Sequence, residues 1–173
     1  MTKTYKSMLF AVEGKVARVT LNRPHALNSM PHDMVLEMDA IAAAIEADPA
    51  IRVVAFTGAG RAFSAGIDLK ALAKGEIGHD YLAPWERFLH RLETMDKLVL
   101  CLLHGYFIGG GLQLALACDI RIATPSAKCG LPAVPKPTHA VSTEAPFRNE
   151  TKPAWFGALA VSCSHMAGTV PRR

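Results

Sequence analysis

The sequence predicts an α/β fold in which buried, parallel strands alternate with helices. Short runs rich in β-branched residues alternate along the chain with segments whose apolar residues recur every three or four positions. This repeated alternation is typical of a parallel sheet with right-handed crossovers. The chain has 173 residues, of which 50% are hydrophobic and 20% charged, so it is long enough for one domain with a sizeable core.

The first predicted elements are a strand and a long helix. The alternating residues of "KVARVTLNR", residues 15–23, predict the strand. The loop "RPHALNSMP" follows, and a helix begins near Pro31 and stops at Asp48-Pro49. The predicted apolar face of this helix consists of Met34, Leu36, Met38, Ile41, Ala42 and Ile45.

The later elements repeat this order of strand and helix. "IRVVAFTG", residues 51–58, is typical of a buried parallel strand, and "AGRAFSAGIDLKALA" of a glycine-bearing loop that runs into a helix. A further helix covers "APWERFLHRLETMDK", where Trp85, Phe88, Leu89 and Leu92 share one face. The strand "LVLCLLHG", a glycine turn, a short core helix to Cys118 and the strand "DIRIAT" follow.

Charge and composition make several classes of function improbable. The net charge is +4, but the basic residues are spread over the chain, so neither nucleic acid nor a membrane is an expected partner. The N-terminus lacks the apolar region of a signal peptide, which predicts a cytoplasmic protein. The cysteines and histidines show no metal-ligand spacing, so no metal site is predicted. Residues 98–118 carry no charge, but a buried strand, a turn and a short helix explain them better than a membrane span.

The composition changes after Val134. Proline, threonine and charged residues become frequent there, and no periodicity is visible. We therefore divide the chain into a core, residues 1–134, and an atypical tail, residues 135–173, which is either a linker or partly disordered.

Two glycine turns are the candidate functional features. The first glycine turn, "FSAGIDL" (residues 63–69), and the second, "FIGGGLQ" (residues 107–113), each follow a predicted strand and precede a helix. Helix N-termini present unpaired N–H groups, and glycine lets a ligand approach the backbone closely. Two such ends facing one point could stabilise a developing oxyanion. The alternative is that small residues simply let these helices pack tightly against the sheet.

Other motifs are weaker. "GAGRAF" begins like a dinucleotide fingerprint but lacks the third glycine. "AFSAG" has the form of a nucleophile elbow with Ser64 as the nucleophile. However, the predicted strand ends near Gly58, well before the serine, whereas an elbow serine lies directly at the strand-to-helix turn.

Three blocks of the sequence resemble the enoyl-CoA hydratase/isomerase (crotonase) superfamily: "VTLNRPHALNSM", "VVAFTGAGRAFSAGIDL" and "HGYFIGGGLQLALACDIRIA", in that order. The resemblance extends from about Val16 to Val134. It implies a crotonase-like (ClpP/crotonase) spiral of ββα units that assembles as a trimer or hexamer. It also implies acyl-CoA thioesters as substrates, with no further cofactor, and stabilisation of a thioester enolate by two backbone N–H groups.

The resemblance also implies which residues form the site. By motif position, the two N–H donors are those of Ile67 and Gly110. The residues expected along the thioester and CoA path are His25, Ala26, Leu27, Ala65, Asp68, Leu69 and Lys70.

The chain departs from the family pattern at both glutamates that handle water in hydratases. The first position is Gln113, whose amide can orient a water molecule but cannot exchange a proton as a carboxylate does. The second is Ala133, which has no acid–base group. After Val134 nothing resembles the C-terminal helices of the family, so a truncated helical region is expected, from either a frameshift or a diverged tail.

The sequence therefore supports functions of two classes. One is a lyase or isomerase of the enoyl-CoA hydratase/isomerase type, in which Asp68, His104 and Asp119 are the candidates to move protons. The other is an acyl-CoA-binding protein without catalysis, or an inactive fragment.

Overall fold

The computed structural model describes the backbone of residues 2–131 and the side chains of residues 5–131. Ala133, the predicted boundary at Val134 and the tail 135–173 lie outside the described residues. The boundary and the role of Ala133 therefore stay predictions.

Eight strands and four α-helices make up the described fold. The strands are β1 (Thr2–Thr4), β2 (Met8–Glu13), β3 (Val16–Leu21), β4 (Val53–Gly58), β5 (Leu98–Leu103), β6 (Tyr106–Ile108), β7 (Ile120–Ala123) and β8 (Lys128–Gly130). The helices are α1 (His32–Ala47), α2 (Leu69–Ala73), α3 (Leu82–Thr94) and α4 (Gly110–Ala117). Short 3-10 turns cover Pro24–Ala26 and His79–Tyr81.

The larger sheet has six strands in the order β1-β2-β3-β4-β5-β7. β3, β4, β5 and β7 are parallel, as the sequence predicts. β1, β2 and β3 are antiparallel, and the first two of these strands were not predicted. The sequence of β2 does not alternate between apolar and polar residues, because apolar residues lie on both faces of the strand. Only Met8 of β2 is fully buried.

A second, parallel sheet pairs β6 with β8. β6 was not predicted, and it separates β5 from the second glycine turn. Ser64 of the first glycine turn forms an isolated parallel bridge with Phe107 of β6. The small sheet therefore brings the two glycine turns side by side.

Helices α1 and α3 bury their apolar faces in the main core. The buried residues of α1 are Met34, Val35, Met38, Ile41, Ala42 and Ile45. The placement of Leu36 on this face was wrong: it is 48% exposed, because the buried stripe passes through Val35 instead. On α3 the predicted positions Trp85, Phe88 and Leu92 are buried, and Leu89 is half-buried. Arg87 and Arg91 of α3 bind the carboxylate of Asp39 on α1 and fix the two helices together.

Within the described part of the chain, no helix is both long and apolar enough to cross a membrane. The uncharged segment 98–118 is divided among β5, β6 and α4.

Candidate active site

The two glycine turns are tied together through β6. The N–H of Ser64 donates to the carbonyl of Tyr106 at 3.0 Å, and the N–H of Ile108 donates to the carbonyl of Ser64 at 2.9 Å. The first turn therefore runs alongside the strand that leads directly into the second.

Gly66 and Gly110 lie where the two turns are closely packed. Gly66 has φ +84°, in the left-handed region. A Cβ atom at Gly66 would lie 2.6 Å from the carbonyl oxygen of Ile108 and 3.0 Å from the nitrogen of Gly110. A Cβ at Gly110 would lie 2.7 Å from Cε of Met30. At Gly66 the atoms in the way belong to the backbone of the second turn, so only glycine fits there, whereas at Gly110 the end of the Met30 side chain would have to move.

Ile67 holds the one open N–H group of residues 63–68. The N–H groups of the other residues donate to His104 O, Tyr106 O, Leu27 O, Ser64 Oγ and Met30 O, in that order along the chain. Among the described residues, the N–H of Ile67 has no acceptor. Since neighbouring amides are all paired, this open donor is a specific feature of the turn rather than the result of a loose loop.

Gly110 supplies a second open N–H group, at the first position of α4. The N–H groups of Leu112 and Gln113 both donate to the carbonyl of Gly109 at 3.0 Å, while those of Gly110 and Gly111 have no acceptor among the described residues. The first N–H groups of a helix lack intrahelical partners and carry the positive end of its dipole. Ile67 and Gly110 are both half-buried.

The open N–H groups at Ile67 and Gly110 are therefore suited to an anionic oxygen. Fixed donors need no reorganisation when charge develops, and removal of one such donor typically slows a reaction about 10²- to 10³-fold. The assignment of these two donors to a bound thioester stays a prediction.

Asp68 anchors the first glycine turn from inside the protein. Its carboxylate caps α2 by accepting from the N–H groups of Lys70 and Ala71. It also accepts from Arg23 at 2.9 Å and from Ser29 at 3.1 Å. Burial opposes its ionisation, but these donors outweigh that effect and hold the pKa of Asp68 below its usual value. A carboxylate this buried and this fully bonded is poorly placed to move a substrate proton.

Asn28 and Ser64 join the first turn to the loop after β3. Asn28 is fully buried, and its amide nitrogen donates to the carbonyls of Ala59 and Ala62. The Ser64 hydroxyl, also fully buried, donates to the carbonyl of Asn28 at 2.8 Å and accepts from the N–H of Gly66. The hypothesis of Ser64 as a nucleophile is therefore wrong, because its hydroxyl is used internally and is closed to substrate.

The other residues assigned to the CoA path lie around the first turn. The N–H of Ala65 donates to the carbonyl of Leu27 at 2.9 Å, which places the segment 25–27 against the turn. His25 is exposed in its 3-10 turn, and Leu69 and Lys70 are exposed at the start of α2. Their contacts with a ligand stay predictions.

His104 and Asp119, the other proton-transfer candidates, have structural partners. His104 Nε2 lies 3.0 Å from the carbonyl oxygen of Gly60. Asp119 accepts from the N–H of Val99 at 2.8 Å and links β7 to β5. Neither side chain contacts the two glycine turns, although the backbone carbonyl of His104 accepts from Phe63.

Gln113 contacts Trp85, a residue that the sequence analysis assigned only to the core. The indole Nε1–H of Trp85 donates to Gln113 Oε1 at 3.1 Å. Periodicity correctly placed Trp85 on a buried face, but an indole N–H in a core usually needs a partner, and that requirement was the signal for this contact.

The sequence of this chain is similar to a known family and to individual members of it. Residues 11–135 match the family described as enoyl-CoA hydratase/isomerase. A short-chain-enoyl-CoA hydratase from Clostridium acetobutylicum is 38% identical over 131 residues, which are 74% of this chain and 50% of that protein. The chain thus spans about half the length of the curated relatives it matches.

Solved structures give the same result. An enoyl-CoA hydratase/isomerase from Xanthobacter autotrophicus Py2 superposes with a TM-score of 0.68 at 37% identity, over 75% of this chain and 50% of that one. A Thermobifida fusca YX protein, solved in complex with acetoacetyl-CoA, superposes with a TM-score of 0.62 at 33% identity, over 71% of this chain and 52% of that one.

Proposed function

This chain belongs to the enoyl-CoA hydratase/isomerase family, and from that premise we propose that it binds acyl-CoA thioesters and stabilises their enolates. Its fold is the crotonase-like α/β fold that the sequence predicts. The reaction class of the whole protein is part of the proposal, because the match covers only about half the length of the relatives.

The open N–H groups of Ile67 and Gly110 carry the proposal. Each is unpaired among the described residues, while the amides around Ile67 are all used. A thioester oxygen that accepts from both would gain negative charge as a proton leaves the adjacent carbon. Both hydrogen bonds to this oxygen would then be stronger in the transition state than in the bound substrate, which is the condition for lowering an activation barrier.

Two observations support acyl-CoA as the ligand. One matched structure was solved with acetoacetyl-CoA, and several relatives are named as hydratases of CoA thioesters. In this chain, the exposed Lys70 lies close to the first glycine turn, where a cation could meet the phosphates of CoA.

A second function, binding without catalysis, is favoured by the chemistry of Gln113. The amide has no titratable proton, and its oxygen is already occupied by Trp85. Loss of one general acid or base typically slows a reaction about 10²- to 10⁴-fold. The carboxylate of Asp68, in the first turn, already accepts hydrogen bonds from Arg23 and from the N-terminus of α2.

The proposal includes a homo-oligomer, as the resemblance implies. Large apolar side chains are exposed along β5 and β7 of the main sheet, and exposed apolar surface of this kind is typical of contact faces. The residues concerned are Leu98, Leu102, Ile120 and Ile122.

Calorimetric titration with butyryl-CoA, with free CoA as the control, tests the proposal. We expect saturable binding of the thioester and weaker binding of CoA, because CoA lacks the carbonyl oxygen. Hydration of crotonyl-CoA, followed in the same preparation, separates the two functions: binding with measurable turnover supports an enzyme, and binding without turnover supports the binder. Absence of butyryl-CoA binding by folded protein would refute both.

A further inference from the structure

Met30 is hydrogen-bonded to both peptide groups that flank Ile67. Its N–H donates to the carbonyl of Gly66 at 2.8 Å, and its carbonyl accepts from the N–H of Asp68 at 3.2 Å. These two bonds form an isolated parallel bridge between Met30 and Ile67. Met30 is fully buried. The residue that leads into α1 therefore holds the first glycine turn on both sides of Ile67.

This bridge fixes the direction of the open N–H of Ile67. A peptide group is planar and trans, so the C=O of Gly66 and the N–H of Ile67 belong to one rigid plane and point in opposite directions. Because that C=O accepts from Met30, the N–H of Ile67 points away from Met30. The peptide after Ile67 is held by its own bond to Met30, so the N–H cannot turn round unless the bridge breaks.

The side chain of Met30 reaches the second donor. Its Cε lies 2.7 Å from the position that a Cβ of Gly110 would take, and Cζ2 of Trp85 lies 3.6 Å from the same position. The end of the Met30 side chain therefore lies close to the backbone of Gly110. One residue thus holds the peptide of Ile67 with its backbone and packs beside Gly110 with its side chain.

The hydroxyl of Tyr81 gives the bridge a third hydrogen bond. Tyr81 lies in the short 3-10 turn before α3, is 5% exposed, and donates to the carbonyl of Met30 at 3.2 Å. A carbonyl oxygen has two lone pairs, so it can accept from Tyr81 and from Asp68 together. Burial raises the pKa of Tyr81 to about 12, so the hydroxyl keeps its proton at neutral pH and remains a donor.

We infer that Met30 and Tyr81 are positioning residues of the proposed thioester site. Met30 sets the direction of the Ile67 N–H and its separation from the N–H of Gly110. Tyr81 holds the Met30 carbonyl in place. Both act by keeping the two donors aimed before charge develops on the ligand, which is the condition under which fixed donors are most effective. This inference rests on the proposed function, since it requires a thioester oxygen at the two donors.

Two CoA ligands separate positioning from simple binding. Butyryl-CoA, followed by calorimetry, reports the binding of an uncharged thioester. Acetoacetyl-CoA can lose a C–H proton to the buffer and become an enolate, which places negative charge on the thioester oxygen and absorbs in the near ultraviolet. Absorbance at one fixed pH therefore gives the ratio of enolate to neutral ligand. We expect binding to the full chain to raise this ratio at least about tenfold above that of free acetoacetyl-CoA, since two fixed donors favour the charged form.

Tyr81→Phe tests the anchor of the bridge. The variant removes one hydroxyl and its bond to Met30, so the Ile67 N–H should be held less firmly. We expect the enolate ratio to fall about threefold to tenfold, while butyryl-CoA affinity stays within about threefold, because a neutral carbonyl gains less from aligned donors than a charged oxygen. Tyr106→Phe is the matched control: it removes a hydroxyl from an exposed side chain outside the bridge and should change neither quantity.

Met30→Leu tests the contact with the second donor. Leucine keeps a buried apolar side chain of similar volume and leaves the backbone bridge intact, but it lacks the terminal methyl group that packs beside Gly110. The enolate ratio should again fall about threefold to tenfold, with butyryl-CoA affinity within about threefold. Met38→Leu, the same change at a buried methionine of α1, is the matched control and should leave the ratio unchanged.

The outcomes distinguish this inference from the function on which it rests. An unchanged enolate ratio in both folded variants, or equal losses of the ratio and of butyryl-CoA affinity, would overturn the positioning role and leave the thioester site in place. A fall in one variant alone would overturn the role of the other residue. If Met30→Leu does not fold, Tyr81→Phe still tests the bridge. If the folded original chain binds neither ligand, or binds acetoacetyl-CoA without raising the ratio, the proposed function fails and the inference fails with it.

Discussion

The two glycine turns that carry the open N–H groups of Ile67 and Gly110 are held in place by different means. The first turn is fixed by buried polar groups: the carboxylate of Asp68 and the hydroxyl of Ser64 bond the loops on either side. The second is closely packed, since a Cβ added at Gly110 would lie 2.7 Å from Cε of Met30 and 3.6 Å from Cζ2 of Trp85. The first should therefore respond to changes of charge, and both should respond to added volume where they meet.

The two turns therefore depend on different kinds of residue: buried polar side chains at the first and glycine at the second. A loop without helical bonds must find an acceptor for each N–H, and buried side chains supply or replace these acceptors. At a helix N-terminus the first backbone N–H groups have no partner within the helix, so a ligand needs only enough space to approach them. The predictions below test this contrast, from the largest expected effect to the smallest.

Gly66→Ala should have the largest effect, because it adds volume where the turns touch. Backbone strain at φ +84° and the clash with Ile108 and Gly110 should together lower the free energy of unfolding by roughly 3–5 kcal/mol and abolish butyryl-CoA binding. Urea denaturation and calorimetry measure both. The matched control is Gly75→Ala, at φ +72° with no atom within 4 Å of the added Cβ, where only the strain should appear. Equal losses in the two variants would contradict the close packing of the turns.

Asp68→Asn should come next, because it removes the charge that holds the first turn. The asparagine can still cap α2, but the bonds to Arg23 and Ser29 lose their charge assistance, at a cost of about 2–3 kcal/mol. Asp33→Asn is the control: its partner Lys6 is 79% exposed, so water screens the pair and its loss should change stability much less. Similar losses at both positions would show that burial of the Asp68 network matters little.

Asp68 should also make stability depend on pH. Its pKa is lowered in the folded protein, so its contribution is complete above the unfolded value of about 3.9 and is lost as the pH falls through the lower folded value. Urea titrations from about pH 6 to about pH 3 should show a shallower decline for Asp68→Asn than for the original chain. Parallel curves would mean that Asp68 is not a source of the acid sensitivity.

Ile67→Pro should have the smallest effect, measured as butyryl-CoA affinity in protein shown to be folded. Proline removes the N–H without breaking a bond, because that N–H has no acceptor among the described residues. We expect butyryl-CoA affinity to fall about tenfold, with Ile67→Val, which keeps the N–H, as the control. An unchanged affinity in a folded Ile67→Pro variant would remove Ile67 from the site.

Local pattern was enough to predict the elements that flank the site. Periodicity identified α1, α3 and the parallel strands, and glycine followed by a helix identified both turns. The contacts that shape the site carried no such signal, because Arg23 and Asp68 are 45 residues apart and Trp85 and Gln113 are 28 apart. β6 was also missed, since three residues are too few to show alternation. The two glycine turns could thus be predicted from local pattern, but the side-chain contacts between distant residues could not, and the roles of Ile67 and Gly110 stay predictions.

The most direct test of the central claim is to observe the two amides themselves. In ¹⁵N-labelled protein titrated with butyryl-CoA, the account predicts that the amide proton resonances of Ile67 and Gly110 move downfield with one common dissociation constant. Free CoA, which lacks the thioester carbonyl, should not move them. Saturable binding of butyryl-CoA with both resonances unmoved, or moved equally by CoA, would contradict the claim that these N–H groups hold the thioester oxygen.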